Sequence, residues 1–269
     1  MSEIKVRYWG VRGSIPVPGE ETSRYGGNTS CVEVRTDTTR VIVDGGTGLR
    51  VLGAELTQPE ELYMLFTHLH WDHIQGIPFF HPIYSPNYQI HIYSGHKADV
   101  SLEGVLKGQM QAPNFPVELT QLPASMTFNE VPHGTVLELG DFVVRTIRLN
   151  HPQDATGLRF EHNGRSFVHL TDHEHTEEFA QPIIDFCKGA DVLSIDAMFT
   201  PEEYPNFVGW GHCHWMQAVE IAKAAGVKKM ILFHHAPAHT DEIMDRIQAD
   251  VREHFLNTDA AFEGMIVDI

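Results

Sequence analysis

Residues 67–73 read THLHWDH and stand directly behind the apolar run LYMLF (62–66). No other stretch narrows the choices for this chain as much. Three histidines and an aspartate in six positions suit neither a buried strand nor an amphipathic helix, so they mark a loop at a strand end. Neutral imidazole and carboxylate are the ligands that borderline cations such as zinc prefer. A metal site is therefore the functional reading, and a solvated histidine-rich loop the bland one. His68 and His70, two apart in extended chain, point to one side and can grip one cation. Asp72 and His73 lie past the turn and can face a second. A carboxylate shared by two cations about 3.5–4 Å apart lets them clamp both the attacking and the leaving oxygen of a displacement.

Four further stretches carry metal-capable residues where a strand ends: LNHPQ with His151, HLTDHEH with Asp172, GWGHCHW with His212 and His214, and ILFHHAP with His234 and His235. Loops beyond strand ends are where rigid scaffolds hold reactive groups. A lone histidine in any one of them is more often structural. Five such places together, one of them His-x-His-x-Asp-His, favour the metal reading.

Period-2 or continuous apolar patterning marks strands at IKVRYWG, CVEVRT, RVIVDGG, LYMLF, YQIHIYSG, FVVRTIRLNH, TGLRFEH and SFVHLTDHE. Helices fit TGLRVLGAEL and ADVSLEGVLKGQM. The last third alternates: helix TEEFAQPIIDFCKG, strand ADVLSIDA, helix HWMQAVEIAKAAG, strand KKMILFHH, helix TDEIMDRIQADVREHFL and a short final strand. Strands first and alternation later predict an α+β fold, two sheets face to face with helices outside: a four-layer αββα sandwich forming a single domain over 1–269. The sequence shows no repeat and no linker.

The chain has 269 residues, 42% of them hydrophobic, and no apolar run near the roughly 20 residues of a membrane span. Its start lacks the layout of a signal peptide, and three scattered cysteines support neither a disulfide framework nor a thiolate metal site. Cytoplasm is the expected compartment and no membrane partner is expected; self-association into a homodimer is left open. Thirty-six acidic against 19 basic residues give a formal charge of −17, a mean field that repels long polyanions.

The stretches DGGTG (44–48), THLHWDH (67–73), LNH (149–151), LTD (170–172), GWGHCHW (209–215) and LFHHAP (232–237) together resemble, in order, the metallo-β-lactamase-fold hydrolases. The resemblance spans nearly the whole chain and implies the αββα fold with a dinuclear site at one edge. Carried over by residue, it implies one metal at His68, His70 and His151, a second at Asp72, His73 and His234, and Asp172 bridging both. His234 is preferred to His235 because it directly follows KMILF. Two divalent metal ions are implied, zinc first, with manganese or iron compatible with the same ligands. Asp44 resembles the family's buried aspartate that orients a ligand imidazole, the alternative being a plain turn residue.

The bridging Asp172 argues against the β-lactamases proper, which commonly lack it. Only 34 residues follow His235, too few for the helical domain of the glyoxalase-II-like thioesterases, and there is no room for a flavodoxin module. What remains is the phosphodiesterase branch: the tRNA 3′-processing endonucleases and smaller enzymes acting on cyclic nucleotides or cyclic phosphates. Its distinguishing extra histidine corresponds to His212, oriented by Asp196, and Asp72, His212 and Asp196 form the implied catalytic set. Cys213 and His214 depart from the small hydroxyl residue usual after that histidine. His151 and Asp172 are only 21 positions apart, which leaves no room for a tRNA-binding arm. With the negative charge, that argues against tRNA or duplex nucleic acid and for a small-molecule phosphodiester such as a cyclic nucleotide. A lactone or thioester hydrolase of the same fold, or a catalytically silent metal-binding protein, are the alternatives. His173 and His175 read as exposed loop residues rather than pocket lining. Trp71, Phe79, Phe80 and Trp210 are candidates for stacking on a nucleobase, with packing in the core or at the fold edge at least as strong an alternative. RGSIPVPG (12–19) is either a lip over the site or an ordinary loop.

Overall fold

The computed structural model describes residues 3–95 and 100–269. The first two residues of the N-terminal stretch and the first two of the helix expected at 98–110 lie outside the described residues. In chain order the strands are β1 (Lys5–Gly10), β2 (Cys31–Arg35), β3 (Arg40–Val43), β4 (Glu61–Phe66), β5 (Gln89–Gly95), β6 (Ser125–Val131), β7 (Val136–Leu139), β8 (Phe142–Leu149), β9 (Ala155–His162), β10 (Arg165–Leu170), β11 (Val192–Asp196), β12 (Lys229–Phe233), β13 (Thr258–Ala260) and β14 (Ile266–Asp268). The helices are α1 (Gly48–Glu55), α2 (Trp71–Ile74), α3 (Leu102–Gln109), α4 (Glu177–Cys187), α5 (Trp215–Ala225) and α6 (Asp241–His254).

The strands form two seven-stranded sheets, ordered β14-β1-β2-β3-β4-β5-β6 and β13-β12-β11-β10-β9-β8-β7. Pairing is antiparallel from β14 to β3 and parallel from β3 to β6. In the second sheet it is antiparallel from β7 to β10 and parallel from β10 to β13. Side chains alternate faces along a strand, and three apolar cores follow from that alternation. Val32, Val34, Val41, Val43 and Leu65 of the first sheet meet Val144, Leu158, Phe160, Phe167 and Phe233 of the second, filling the space between them. Their neighbours Cys31, Ile42, Met64 and Phe66 face outward against α1 and α3, where Leu49, Leu52 and Leu106 cover them. Val168, Leu170, Leu193 and Leu232 face the other way, against α4, α5 and α6. The molecule is thus the four-layer αββα sandwich of an α+β fold, with helices on both outer faces.

Strands β6 and β7 went unrecognised in the sequence, and two short strands stand where one final strand was expected. β6 and β7 are sheet edges and mostly half-exposed or exposed, so SMTFNEV and VLEL lack the apolar alternation of an interior strand. Among the described residues, no helix is long and apolar enough to cross a membrane.

Candidate metal centre

C-terminal ends of the parallel strands, joined by that of the antiparallel β8, converge on one edge of the sandwich, where open sheets place their ligands. Asp44 follows β3, and His68, His70, Asp72 and His73 follow β4. His151 follows β8, Asp172 follows β10, and His234 follows β12; Asp196 is the last residue of β11. Asp44, Asp172 and His234 all hold left-handed backbone, with φ of 61°, 60° and 62°. Such non-glycine residues are uncommon and carry strain; Asp172 and His234 face each other across the cage, and Asp44 faces the far side of the His73 ring.

Ligand atoms of His68, His70, His151 and Asp172 lie within 4.8 Å of one another, and so do those of Asp72, His73 and His234. Asp172 stands between the groups. Its Oδ2 is 3.4 Å from His68 Nε2 and 3.6 Å from His151 Nε2, while its Oδ1 is 3.3 Å from His73 Nε2 and 3.1 Å from His234 Nε2. Asp72 Oδ2 is 3.4 Å from both His73 Nε2 and His234 Nε2. His70 Nδ1 lies 3.0 Å from His151 Nε2. Among the described residues, the Nε2 atoms of His68, His73 and His234 are buried with no hydrogen-bond partner. Buried polar atoms are almost always satisfied. Orphaned imidazole nitrogens aimed at two carboxylates are a donor set that fits a pair of divalent cations.

The local charges agree. Burial pushes His68 well below its ordinary pKa, so its imidazole is neutral, as a ligand must be. Burial acts the same way on His73, but Asp72, Asp172 and Asp44 outweigh it and hold its pKa well above normal. Three carboxylates around one imidazole make a site that calls for positive charge.

Other atoms hold this cage in register. Asp44 Oδ2 accepts from His73 Nδ1 at 2.8 Å and from Ser30 Oγ at 3.1 Å, and its Oδ1 accepts from the Thr67 amide at 2.8 Å. Asp44 is therefore more than a turn residue. The Thr67 hydroxyl donates to Asp44 at 3.0 Å and lies 3.2 Å from His68 Nδ1. His151 Nδ1 donates to the Gly211 carbonyl at 2.9 Å. The Ser14 amide donates to Asp72 Oδ2 at 2.7 Å, so the 12–19 segment is pinned to the site. Two glycines are required there: a Cβ on Gly13 would lie 2.5 Å from the His234 ring, and one on Gly211, at φ 89°, would lie 2.2 Å from His151 Nδ1.

His212 stacks on His234 at 5.0 Å between ring centroids and lies tilted against His151 at 5.2 Å, and its Nδ1 bonds Asp196 Oδ2 at 2.7 Å. Burial opposes its charged form, but Asp196 outweighs burial and the pKa is pushed up to about 9. Cys213 is buried and turned away, donating to the His173 carbonyl. His235 is not in the cluster: it is buried and its Nε2 donates to the Ala261 carbonyl at 2.8 Å. His173 is buried rather than exposed, its Nδ1 accepting from the Asn150 amide, and His175 is half-buried. Sequence reasoning missed Ser14, Thr67 and Glu174. The Glu174 carboxylate accepts from the amides of Gly209 at 2.8 Å and Gly211 at 2.9 Å, fastening the GWGH loop. The GWG and RGS glycines were the available signal.

Seven imidazole and carboxylate side chains converging at the edge of an αββα sandwich define the metallo-β-lactamase-fold hydrolases. The family model described as a beta-lactamase superfamily domain matches residues 39–235, and the chain belongs to that superfamily. A ribonuclease Z of Thermoplasma acidophilum is 23% identical, with 96% of this chain and 94% of the relative covered. The fold is shared with the metallo-β-lactamase-fold protein YhfI of Bacillus subtilis (TM-score 0.76, 21% identity, all of both chains). It is shared also with the short form of human tRNase Z (TM-score 0.71, 18% identity, 98% of both chains).

These relatives correct one expectation. Tight spacing between His151 and Asp172 and a charge of −17 do not argue against a nucleic-acid substrate, because a ribonuclease Z aligns with nearly the whole chain. The formal charge averages over the whole surface, whereas binding depends on the field at the cage, which divalent cations held there would reverse.

Proposed function

We propose that this protein, as one domain over 1–269, is a dinuclear metal-dependent phosphodiesterase acting on a nucleotide phosphodiester within an RNA strand. The His212–Asp196 pair beside the cage carries this reading, since the alkoxide of a phosphodiester leaves with a proton that a thioester's thiolate does not need. His68, His70 and His151 would hold one cation and Asp72, His73 and His234 the other, with Asp172 shared; the donor set suits zinc. Two such cations supply an activated water and neutralise the charge building on phosphoryl oxygens. The chain's own groups do the rest. Asp196 occupies Nδ1 of His212 and favours the imidazolium, so Nε2 is left to protonate the leaving oxygen. Asp44 fixes the His73 ring with Nε2 turned inward, and the Ser14 amide holds Asp72. The ribonuclease Z relative supports a nucleic-acid substrate.

The test is turnover by zinc-reconstituted protein of a single-stranded RNA, a cyclic nucleotide, a lactone and a thioester under one set of conditions. RNA cleavage that stops on chelation is the expected result. Turnover of the lactone or thioester alone would overturn the reading, as would two bound metals with no turnover of anything.

A further inference from the structure

We propose that Trp71 and Trp210 form a stacking platform for an unpaired nucleobase of the substrate, on the rim of the histidine cage. The proposal rests on the phosphodiesterase reading for the chemistry, but base binding is separable from it. Of the four tryptophans, Trp9 and Trp215 are buried, whereas Trp71 and Trp210 are each 61% exposed. Scattered exposed apolar side chains are ordinary, so exposure alone says little. Position says more. Trp71 directly follows His70, and Trp210 directly precedes Gly211, whose carbonyl holds His151. His70 and His151 are themselves 3.0 Å apart. Trp71 therefore adjoins one of these two histidines in the chain, and Trp210 adjoins the residue whose carbonyl holds the other.

Trp210 is also held in place. It meets Phe207 edge-on at 5.2 Å, Phe207 lies parallel to Phe199 at 4.4 Å, and Phe199 lies 6.1 Å from His212. Glu174 anchors the backbone on both sides of it through Gly209 and Gly211. An aromatic surface already fixed loses little freedom when a ligand covers it. Phe79 is equally exposed but packs on Phe115, with no such link to the cage.

The cations would act on the phosphate alone, so an unpaired base beside it calls for a contact of its own. Stacking one base on an aromatic side chain is worth roughly 5- to 150-fold in affinity and tolerates any base, because every base has a π face.

Two esters with the same leaving group isolate the effect: thymidine 5′-(p-nitrophenyl) phosphate, which carries a base, and methyl p-nitrophenyl phosphate, which does not. With zinc-reconstituted protein, Trp71→Ala and Trp210→Ala should each raise KM for the thymidine ester about 5-fold or more. The double variant should raise it further, with kcat within about 2-fold and the methyl ester unaffected. Trp71→Phe and Trp210→Phe, which keep a ring, should restore most of the loss. An unchanged KM for the thymidine ester in the double variant overturns the proposal, and so does an equal loss for both esters. Adenosine, which has no phosphodiester, gives a readout free of turnover: it should quench tryptophan emission in the wild type and not in the double variant. Quenching without turnover of either ester would keep the platform and sink the phosphodiesterase reading. Turnover of both esters with no quenching would do the reverse.

Discussion

Changing Asp44 to asparagine should weaken metal binding in one half of the cage while leaving the other nearly intact. The asparagine keeps the shape of the side chain and tolerates the left-handed backbone at φ 61°. What changes is one oxygen, which becomes a donor. The Thr67 amide is a fixed donor to Oδ1 at 2.8 Å, so the new carbonyl oxygen stays there and the NH2 faces His73 Nδ1 and Ser30 Oγ. Two N–H donors then point at each other across 2.8 Å. The imidazole relieves this by moving its proton to Nε2, the atom that faces Asp72 and Asp172. A protonated Nε2 has no lone pair for a cation. Losing the partner that orients a ligand histidine weakens metal binding by about 10–100-fold, or ~1.4–2.8 kcal/mol. At the other half, the Thr67 hydroxyl lies 3.0 Å from both Asp44 oxygens; beside the asparagine it still has the retained carbonyl oxygen to donate to, and so keeps accepting from His68 Nδ1. Zinc titration against a chromogenic chelator should therefore resolve one weakened and one near-native equivalent in Asp44→Asn. Thr67→Val should show the converse, weakening the His68 half. Two equivalents bound with wild-type affinity in Asp44→Asn would refute this reasoning and return Asp44 to a turn residue.

Metal-reconstituted protein should hold two equivalents by elemental analysis, and chelation should lower the melting temperature, since one site saturated at 100 times its Kd contributes about 2.7 kcal/mol; one equivalent or fewer would end the dinuclear reading. His234→Ala should lose metal and rate together, whereas His235→Ala should lower the melting temperature and keep both ions, because His235 is bound to the Ala261 carbonyl; a larger metal loss at His235 reverses the assignment. His212→Ala should keep both ions and lose roughly 10²-fold in rate for an alkyl ester, less for a nitrophenyl ester that departs without a proton. Equal losses for the two leaving groups would remove the acid role.

Much of the fold was legible because interior strands such as KMILF and LYMLF are apolar throughout and the ligands follow them directly. The order of the motifs made the αββα layout readable before any coordinates. What escaped is what one sequence position cannot express. Edge strands β6 and β7 carry no clean alternation. His173 reads as polar loop, yet it is buried because the Asn150 amide and the packing of Phe179 take it in. Ser14, Gly211 and Thr67 act through a backbone amide, a carbonyl and a hydroxyl that no residue-type pattern singles out. The substrate expectation failed for a related reason, since a summed charge has no location.

The order of pairings has a consequence for how this chain is built. Each sheet runs through three antiparallel pairings and then three parallel ones, and the change falls at β3 in one and β10 in the other. In that succession Asp44 and Asp172 hold corresponding places, both aspartates with φ near 60° just past the strand where the pairing changes. The two are put to different ends. Asp44 gives its oxygens to Thr67, Ser30 and His73, and Asp172 turns its own to the cage. Neither sheet carries a complete cage, since His68 to His73 come from one and His151, Asp172 and His234 from the other, so bound cations would fasten one sheet to the other at this edge.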